Sequence, residues 1–509
     1  MSPSFTHQLP IHGGKREEFA RLASLLRGAG FVEETLCKTF NLADMSRAGT
    51  IQESMVECAD ISERLRTLIR LFLLLSLLPR DHVESVLGSD SLELFLSLGL
   101  LSTGEFGRDE VYATVLLYPV AGFWIASDRH SNPDGSKFEP AADIVFPAIY
   151  GGTLRFLRLI PKSSAVNALD LCGGSGIAAL VLSRSSERAV SSDITERATE
   201  FARFNRALNH CPNMEVVCGD LYAALDGQTF DRIVAHPPYV PSLGFATIWR
   251  DGGATGELLV RRIVEGLPAH LRPGGLFCML SIGLDTREGR FEQRVRTWLK
   301  DSAPEFDIIF ACDDERTPQQ LLERLSENYE LGPSELKNLK AEFERIGMLS
   351  IPYGALFMRR HLPDATTQEW SARTRLSEET TGQDFEAAFA LHDLTTQVHF
   401  RQALSQARPY LSSHLQVNVK HVVHERALVP AEFVFETHKP FTLKARLDPW
   451  MVPLVSEFDG QKTPADIYEN AKNRSEIPEK FAMTDFLDLV TKMIQSGFLL
   501  LPSEQLDVP

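Results

Sequence analysis

The sequence is poor in the features that mark secreted, membrane-spanning and metal-binding proteins. Its 7 cysteines are scattered and form no Cys-x-x-Cys pair, which argues against a disulfide framework or a structural zinc site. The longest apolar run, residues 68–78, is interrupted by Arg70 and Ser76. It is too short to span a bilayer, which takes about 20 residues. We therefore expect a soluble, cytoplasmic protein with no metal and no membrane partner.

Positive charge is the second deficit. The chain has 52 Lys and Arg against 68 Asp and Glu, which gives a net charge of −16. Because phosphate binding needs clustered cations, this balance disfavours RNA or DNA as a partner. It favours a small molecule or a peptide. A local basic patch stays open as an alternative, since five arginines gather between residues 184 and 206.

The 509 residues are too many for one hydrophobic core, and we expect three domains. Residues 16–28, 61–78 and 90–99 have apolar residues at helical spacing, and two strand-like stretches follow at 110–120 and 123–127. This order of helices and strands is typical of a winged-helix-like unit.

Towards the C-terminus, strand-like alternation over 416–423 and 432–443 precedes three helical stretches at 448–457, 464–471 and 484–496. The predicted domains are a helical, winged-helix-like domain over 1–130, a central α/β domain over 140–360, and an α+β domain over 365–509 that ends in a winged-helix-like module.

The most informative pattern lies in the central domain. Residues 166–171 are apolar apart from Asn167 and Asp170, as a central parallel strand should be. Gly173, Gly174 and Gly176 then let the backbone turn sharply and pass close to a ligand. Residues 177–183 follow as a predicted helix whose first N–H groups face that ligand.

Later strand ends in the same domain carry further polar residues. Asp193 ends the next predicted strand, and Asp220 follows a short third one. A rigid Pro-Pro turn with an aromatic, His236 to Tyr239, follows a further strand. Together these pieces predict a nucleotide-type cofactor over a doubly wound sheet, with a planar group presented to it. The glycine spacing alone would also fit a dinucleotide.

These motifs resemble those of class I S-adenosylmethionine (SAM) methyltransferases. The Pro-Pro-Tyr turn is similar to the Asn-Pro-Pro-Tyr group, which includes the release-factor glutamine methyltransferases and the methyltransferase small domain. Residues 249–256, Trp-Arg-Asp-Gly-Gly-Ala-Thr-Gly, resemble the Gly-Gly-x-x-Gly loop of that group. The resemblance covers residues 143–360 and implies a Rossmann-like, seven-stranded sheet, with its last two strands at 306–311 and 351–358.

The resemblance also implies SAM as the cofactor. The glycine turn would hold the methionine end of SAM, Asp193 would accept hydrogen bonds from the ribose, and Asp220 would meet the adenine amino group. The predicted cofactor-binding residues are Asp170, Cys172, Gly173, Gly174, Gly176, Asp193, Ile194, Asp220, Leu221 and His236.

The candidate reaction site departs from the family motif at its first letter, because His236 stands where Asn is expected. A neutral imidazole offers one acceptor nitrogen and can take up a proton near neutral pH. His236 is therefore a general base, an orienting group, or a side chain that fills space. The predicted catalytic residues are His236, Pro237 and Tyr239, and the predicted substrate contacts are Pro238, Tyr239, Trp249 and Arg250.

The sequence thus predicts a SAM-dependent methyltransferase that acts on a nitrogen, or second an oxygen, of a small molecule or peptide. Two alternatives stay open, of which the first is an enzyme and the second is not. One is a tRNA, rRNA or protein-glutamine N-methyltransferase. The other is a SAM- or peptide-binding protein without activity, since residues 458–463 and the tail resemble winged-helix peptide-binding modules.

Overall fold

The computed structural model describes residues 8–104, 109–241, 252–253, 255–328, 331–363 and 369–502. Contacts within the chain divide it into two compact units. The first unit contains residues 1–302 and 316–351, and the second contains residues 303–315 and 352–509. The three-domain division made from the sequence stays a prediction.

Amphipathic helices open the first unit. The helix that buries Leu68, Ile69 and Phe72 ends at Phe72, so the predicted helix over 61–78 is too long. The chain cannot continue the helix because Leu75 adopts a left-handed φ of +55°. A 3₁₀ turn covers Met45–Thr50, and the helices are α1 (Arg16–Gly28), α2 (Glu33–Phe40), α3 (Glu53–Cys58), α4 (Glu63–Phe72), α5 (Arg80–Leu87) and α6 (Ser89–Ser97).

Strands follow these helices, as predicted, although the stretch over 110–120 forms two strands instead of one. The first three strands form a sheet of order β1-β3-β2, and the next two form an antiparallel hairpin whose residues are all buried. The strands are β1 (Leu78–Pro79), β2 (Leu101–Thr103), β3 (Glu110–Ala113), β4 (Val115–Val120) and β5 (Phe123–Asp128).

The hairpin is tied to the rest of the first unit by buried amide side chains. Asn205 Oδ1 accepts a hydrogen bond from the Ala126 N–H at 2.8 Å, and Asn209 Oδ1 accepts one from the Trp124 N–H at 2.9 Å. Both asparagines lie in or beside the helix that spans residues 196–208. These bonds satisfy strand N–H groups that would otherwise be buried without a partner.

Five parallel strands form the centre of the first unit, in the order β10-β9-β6-β7-β8. Helices connect them, which confirms the predicted Rossmann-like α/β fold. The elements are α7 (Gly151–Leu159), β6 (Ala165–Leu171), α8 (Ile177–Leu182), β7 (Ser186–Asp193), α9 (Glu196–Leu208), β8 (Met214–Cys218), β9 (Phe230–Ala235), α10 (Leu258–His270), β10 (Leu271–Ile282), β11 (Asp285–Thr286) and α11 (Phe291–Trp298).

The strand order reverses at β6, because the chain adds β7 and β8 on one side of it and β9 and β10 on the other. In open α/β sheets, the crevice at the carboxyl ends of strands beside such a reversal is the usual ligand site. The two later strands predicted at 306–311 and 351–358 are present and longer: β12 (Phe306–Arg316) and β13 (Met348–Arg360), with α12 (Pro318–Asn328), α13 (Pro333–Arg345) and β14 (Ser371–Arg375).

The C-terminal part of the second unit has its own core, which includes Phe458, Ile467, Phe486 and Val490. The predicted strand over 432–443 is two strands, because Pro440 lies between them and has no N–H to donate. The elements are α14 (Gly382–Thr396), α15 (Phe400–Gln406), β15 (Tyr410–Leu411), β16 (Gln416–His424), β17 (Ala427–Thr437), β18 (Leu443–Leu447), α16 (Met451–Ser456), α17 (Pro464–Asn473), α18 (Met483–Gln495) and β19 (Leu499–Leu500).

β16, β17 and β18 form an antiparallel sheet in that order, and β15 pairs with β19. Across the part of the chain that the structure describes, no helix is both long enough and apolar enough to cross a membrane.

Candidate active site

A cavity of about 980 Å³ opens at the carboxyl ends of the central strands in the first unit. Its wall is made by the turns that follow β6, β7, β8 and β9. Of the predicted cofactor-binding residues, all but Gly176 line the cavity, and so do Pro237, Pro238 and Tyr239. Trp249 and Arg250 lie outside the described residues. The sequence motifs thus meet at one edge of one sheet.

The glycine turn after β6 is held by Asp193, the last residue of β7. Asp193 Oδ2 accepts a hydrogen bond from the Gly174 N–H at 2.9 Å, and its Oδ1 accepts one from the Thr195 N–H at 3.0 Å. A Cβ on Gly174 would meet nothing within 4 Å, so its backbone is open to a ligand. A Cβ on Gly176 would lie 2.9 Å from both Ala202 Cβ and Met214 Cε. Gly176 therefore serves the close packing behind the turn.

Burial and mutual repulsion of carboxylates dominate the electrostatics beside this turn. Asp170 is 1% exposed and accepts one hydrogen bond, from the Ala179 N–H at 3.1 Å. Burial, together with the nearby charge of Asp193, raises the pKa of Asp170 to about 8. Burial also raises the pKa of Asp193. Burial and the charges of Asp193, Asp170 and Asp220 raise the pKa of the Cys172 thiol.

A basic residue that was not predicted from the sequence faces this acidic region. Arg262 of α10 pairs with Asp220 at 2.9 Å between Nη2 and Oδ2, and both residues line the cavity. Arg262 is the one arginine or lysine among the described residues of the cavity wall. No spacing rule connects it to Asp220, because 42 positions separate them in the sequence.

His236 follows β9 directly and stands between two aromatic rings. Its ring centroid lies 5.1 Å from that of Phe156, which is on α7, and 5.9 Å from that of Tyr239. Burial lowers the pKa of His236 to about 4, so the imidazole is neutral at physiological pH. Its Nε2 atom is buried and has no hydrogen-bond partner among the residues that the structure describes. Buried polar atoms are usually paired, which disfavours a purely space-filling role.

Part of the cavity wall comes from residues that precede the glycine motif in the sequence, and these residues were not predicted. Phe146, Tyr150 and Phe156 all line the cavity. Their only signal in the sequence is a cluster of aromatic residues just ahead of β6. Within the described part of the chain, no group of three His, Cys, Asp or Glu side chains is arranged to hold a metal ion.

Comparison with known proteins agrees with this geometry. The fold and the cavity define the class of the central region, a Rossmann-like α/β domain with a cavity at the carboxyl ends of its strands. Residues 148–287 match the family model of the methyltransferase small domain. The match confirms the resemblance that the motifs indicated.

The relatives include glutamine methyltransferases. The chain is 34% identical over 182 residues to the ribosomal protein uL3 glutamine methyltransferase of Bradyrhizobium diazoefficiens, which covers 32% of this chain and 57% of that protein. It is 31% identical over 144 residues to the release factor glutamine methyltransferase of Geobacter sulfurreducens, which covers 26% and 50%. The chain thus spans about half the length of the curated relatives it matches.

Among solved structures, a ribosomal protein L11 methylase from Lactobacillus delbrueckii subsp. bulgaricus is 18% identical to this chain. The match covers 41% of this chain and 77% of that one, with a TM-score of 0.24.

Proposed function

We propose that this protein is a SAM-dependent methyltransferase that transfers a methyl group to a nitrogen or an oxygen of a small molecule or peptide held beside His236. The observation that carries the proposal is a single cavity shared by the glycine turn and the His-Pro-Pro-Tyr turn. A volume of about 980 Å³ is at the upper end of ligand sites, which run from roughly 300 to 1,000 Å³. It leaves room for a cofactor and an acceptor together.

The residues of the glycine turn fit a cofactor that carries positive charge. Burial raises the pKa values of Asp170 and Asp193, and a nearby cation would stabilise the charged forms of these carboxyls. A dinucleotide would instead bring its phosphates against these carboxyls. SAM supplies a methyl group on a positively charged sulfur. Asp193 would hold its ribose, Asp220 and Leu221 its adenine, and the backbone at Gly174 its methionine end.

His236 would orient the acceptor through Nε2. An imidazole whose pKa is about 4 is a weak base at neutral pH, yet as a neutral ring it can form one directed hydrogen bond at that atom. Tyr239 and Phe156 would bound the acceptor with aromatic faces, and Pro237 and Pro238 would keep the turn rigid. Alignment of this kind is the main protein contribution to a direct group transfer.

A protein-glutamine methyltransferase is the second candidate, favoured by the names of the relatives. In the Asn-Pro-Pro-Tyr group, the Asn side chain and the first Pro carbonyl accept the two N–H bonds of the amide. His236 offers an amide a single ring nitrogen that is either donor or acceptor. His236 can replace the Asn oxygen as an acceptor only in one tautomer, and for this reason the glutamine reading ranks second.

Methylation of RNA has less support from the charges. Three of the arginines that gather between residues 184 and 206 are paired inside the first unit. Arg188 pairs with Glu215, Arg197 with Asp128 and Arg203 with Glu200. Arginines that are already paired with carboxylates neutralise few phosphates, so they displace few of the counterions that surround a nucleic acid.

Methyl-labelled SAM, incubated with the pure protein and a size-fractionated cell extract, tests the proposal. We expect label in the low-mass or protease-sensitive fraction with the wild type, and at least 100-fold slower labelling with His236→Ala. Label in a nuclease-sensitive fraction would replace the acceptor class with RNA. No label in any fraction, together with no binding of S-adenosylhomocysteine, would overturn the proposal.

A further inference from the structure

Two exposed aromatic side chains stand at the cavity, outside every motif of the sequence. Phe146 and Tyr150 line the cavity and stack on each other, with ring centroids 4.4 Å apart and planes inclined by 22°. They are 38% and 43% exposed. A contiguous exposed aromatic surface beside a cavity is a typical ligand contact. We call this pair the aromatic platform.

The backbone on either side of Phe146 is fixed by buried polar groups. Asp128 Oδ2 accepts a hydrogen bond from the Val145 N–H at 2.7 Å, and the Asp128 N–H donates to the Val145 carbonyl at 3.2 Å. The Tyr118 hydroxyl accepts one from the Ala148 N–H at 2.6 Å. Exposed rings on a backbone held this firmly are preorganised, as binding residues need to be.

These anchors come from the N-terminal hairpin, since Tyr118 is in β4 and Asp128 ends β5. Tyr118 is fully buried, and burial raises the pKa of its hydroxyl. Asp128 also pairs with Arg197 of α9 at 2.7 Å, and this ion pair is nearly buried. Burying such groups costs stability unless they are fully bonded. Here they hold in place a segment in which Ile144, Val145 and Ala148 are buried and Phe146 is exposed.

The charge of the cavity restricts what can lie against the aromatic platform. Asp143, Asp193 and Asp220 line the cavity against Arg262, together with Asp170, whose pKa of about 8 leaves it largely uncharged at neutral pH. Asp143 Oδ1 is buried and has no hydrogen-bond partner among the described residues, so it is free to accept a bond from a ligand. An anionic acceptor would be repelled.

We propose that the aromatic platform binds the ring of an aromatic acceptor, and that the acceptor is an uncharged or cationic aromatic small molecule. This inference rests on the proposed function, because the ring would share the cavity with the methyl donor. Stacking on Phe146 and Tyr150 would place the ring, and the hydrogen bond to His236 would select its reacting nitrogen or oxygen. A glutamine side chain has no ring and would leave the platform uncovered.

Calorimetric titration with three small probes tests this, in the presence of saturating S-adenosylhomocysteine. The probes are tryptamine, which is aromatic and cationic, cyclohexylethylamine, which is cationic without an aromatic ring, and indole-3-acetate, which is aromatic and anionic. We expect tryptamine to bind at least tenfold more tightly than either of the others. Equal affinities for tryptamine and cyclohexylethylamine would contradict the aromatic class.

Two substitutions locate the binding. Phe146→Leu and Tyr150→Leu each remove one ring and should weaken tryptamine binding about tenfold, which is the size of a lost aromatic pair. Tyr410→Leu is the matched control, because Tyr410 is 39% exposed and lies in the second unit. It should change nothing. Equal tryptamine affinity in all three variants would overturn the platform.

Affinity for S-adenosylhomocysteine alone separates this inference from the proposed function. If the wild type binds it but no aromatic probe, the platform fails and the methyltransferase stands. If it binds neither, the proposed function fails first. A fall in melting temperature in Phe146→Leu without loss of probe binding would show that the rings only stabilise the fold, which also overturns the proposal.

Discussion

The two ends of strand β9 differ in how their polar side chains are satisfied. At the amino end, Asp231 accepts hydrogen bonds from the N–H groups of Val166 at 3.0 Å and Asn167 at 2.7 Å, and pairs with Arg272 at 3.1 Å. At the carboxyl end, His236 Nε2 is buried and has no partner in the described part of the chain. The polar group at the amino end of this strand is thus bonded within the fold. The His236 Nε2 atom that follows the carboxyl end has no such bond among the described residues.

Strand β6 repeats the contrast with carboxyls. Asp170, at its carboxyl end, is buried with one hydrogen bond and a pKa raised to about 8. A buried carboxyl with so few partners lowers stability. In these two strands, therefore, the polar groups at the carboxyl ends have fewer partners within the fold than Asp231 at the amino end of β9.

His236→Ala should have the largest effect. We expect turnover to fall at least 100-fold, since alignment and proton handling by one side chain are worth that much, while the melting temperature changes little. His236→Asn separates the two roles left open by the sequence. An amide can orient an acceptor but cannot act as a base, so an orienting role predicts a loss smaller than tenfold. Equal losses in both variants, measured by methyl transfer, would support a base instead.

Asp193→Ala should weaken binding of S-adenosylhomocysteine by about 30-fold, a loss of roughly 2 kcal/mol. It removes the acceptor for the Gly174 and Thr195 N–H groups and the proposed ribose contact, and charge-assisted hydrogen bonds are worth about 1.5–3 kcal/mol. Calorimetry measures the change. Asp231→Ala is the control at the opposite end of the sheet. Unchanged binding of S-adenosylhomocysteine in Asp193→Ala would contradict the proposed contact between Asp193 and the ribose.

Asp231→Ala should lower the free energy of unfolding by about 1–2 kcal/mol without changing the affinity for S-adenosylhomocysteine. Two strand N–H groups lose their acceptor and Arg272 loses its partner, and unsatisfied groups cost about 1–3 kcal/mol each when buried. The value is at the low end because Asp231 is partly exposed. Urea unfolding measures the change in the free energy of unfolding. A loss of S-adenosylhomocysteine affinity in this variant would contradict the difference between the two ends of β9.

Asp170→Asn should have an effect of the opposite sign, because it should stabilise the fold at high pH. With a folded pKa of about 8 against about 3.9 for an ordinary Asp, the unfolded chain holds fewer protons between these values. Stability of the wild type therefore falls as pH rises from about 4 to 8. Asn keeps an acceptor for the Ala179 N–H and does not titrate. We expect the variant to be more stable than the wild type by several kcal/mol at pH 8, since each pKa unit is worth about 1.4 kcal/mol, and equally stable at pH 4, by thermal unfolding.

The motif residues were predictable because each motif is contiguous and follows a strand. Parallel strands end at one edge of a sheet, so the glycine turn, Asp193 and the His236 turn had to meet there. The aromatic platform was not predictable, because its position depends on anchors far away in the sequence. Tyr118 and Ala148 are 30 positions apart, and Asp128 and Val145 are 17 apart.

Element types were easier to predict than boundaries, for a local reason. A helical pattern over 61–78 persists past the point where Leu75 turns left-handed, since periodicity does not record φ. Arg262 illustrates the opposite limit. It is an ordinary helix-surface arginine in the sequence, and only the fold brings it to Asp220.

Titration of the wild type with S-adenosylhomocysteine and, separately, with NAD⁺ tests the central claim, that the carboxyl ends of these strands hold a methyl donor. We predict that S-adenosylhomocysteine binds one-to-one with a micromolar dissociation constant and that NAD⁺ releases no heat. Binding of NAD⁺ without binding of S-adenosylhomocysteine would contradict the claim.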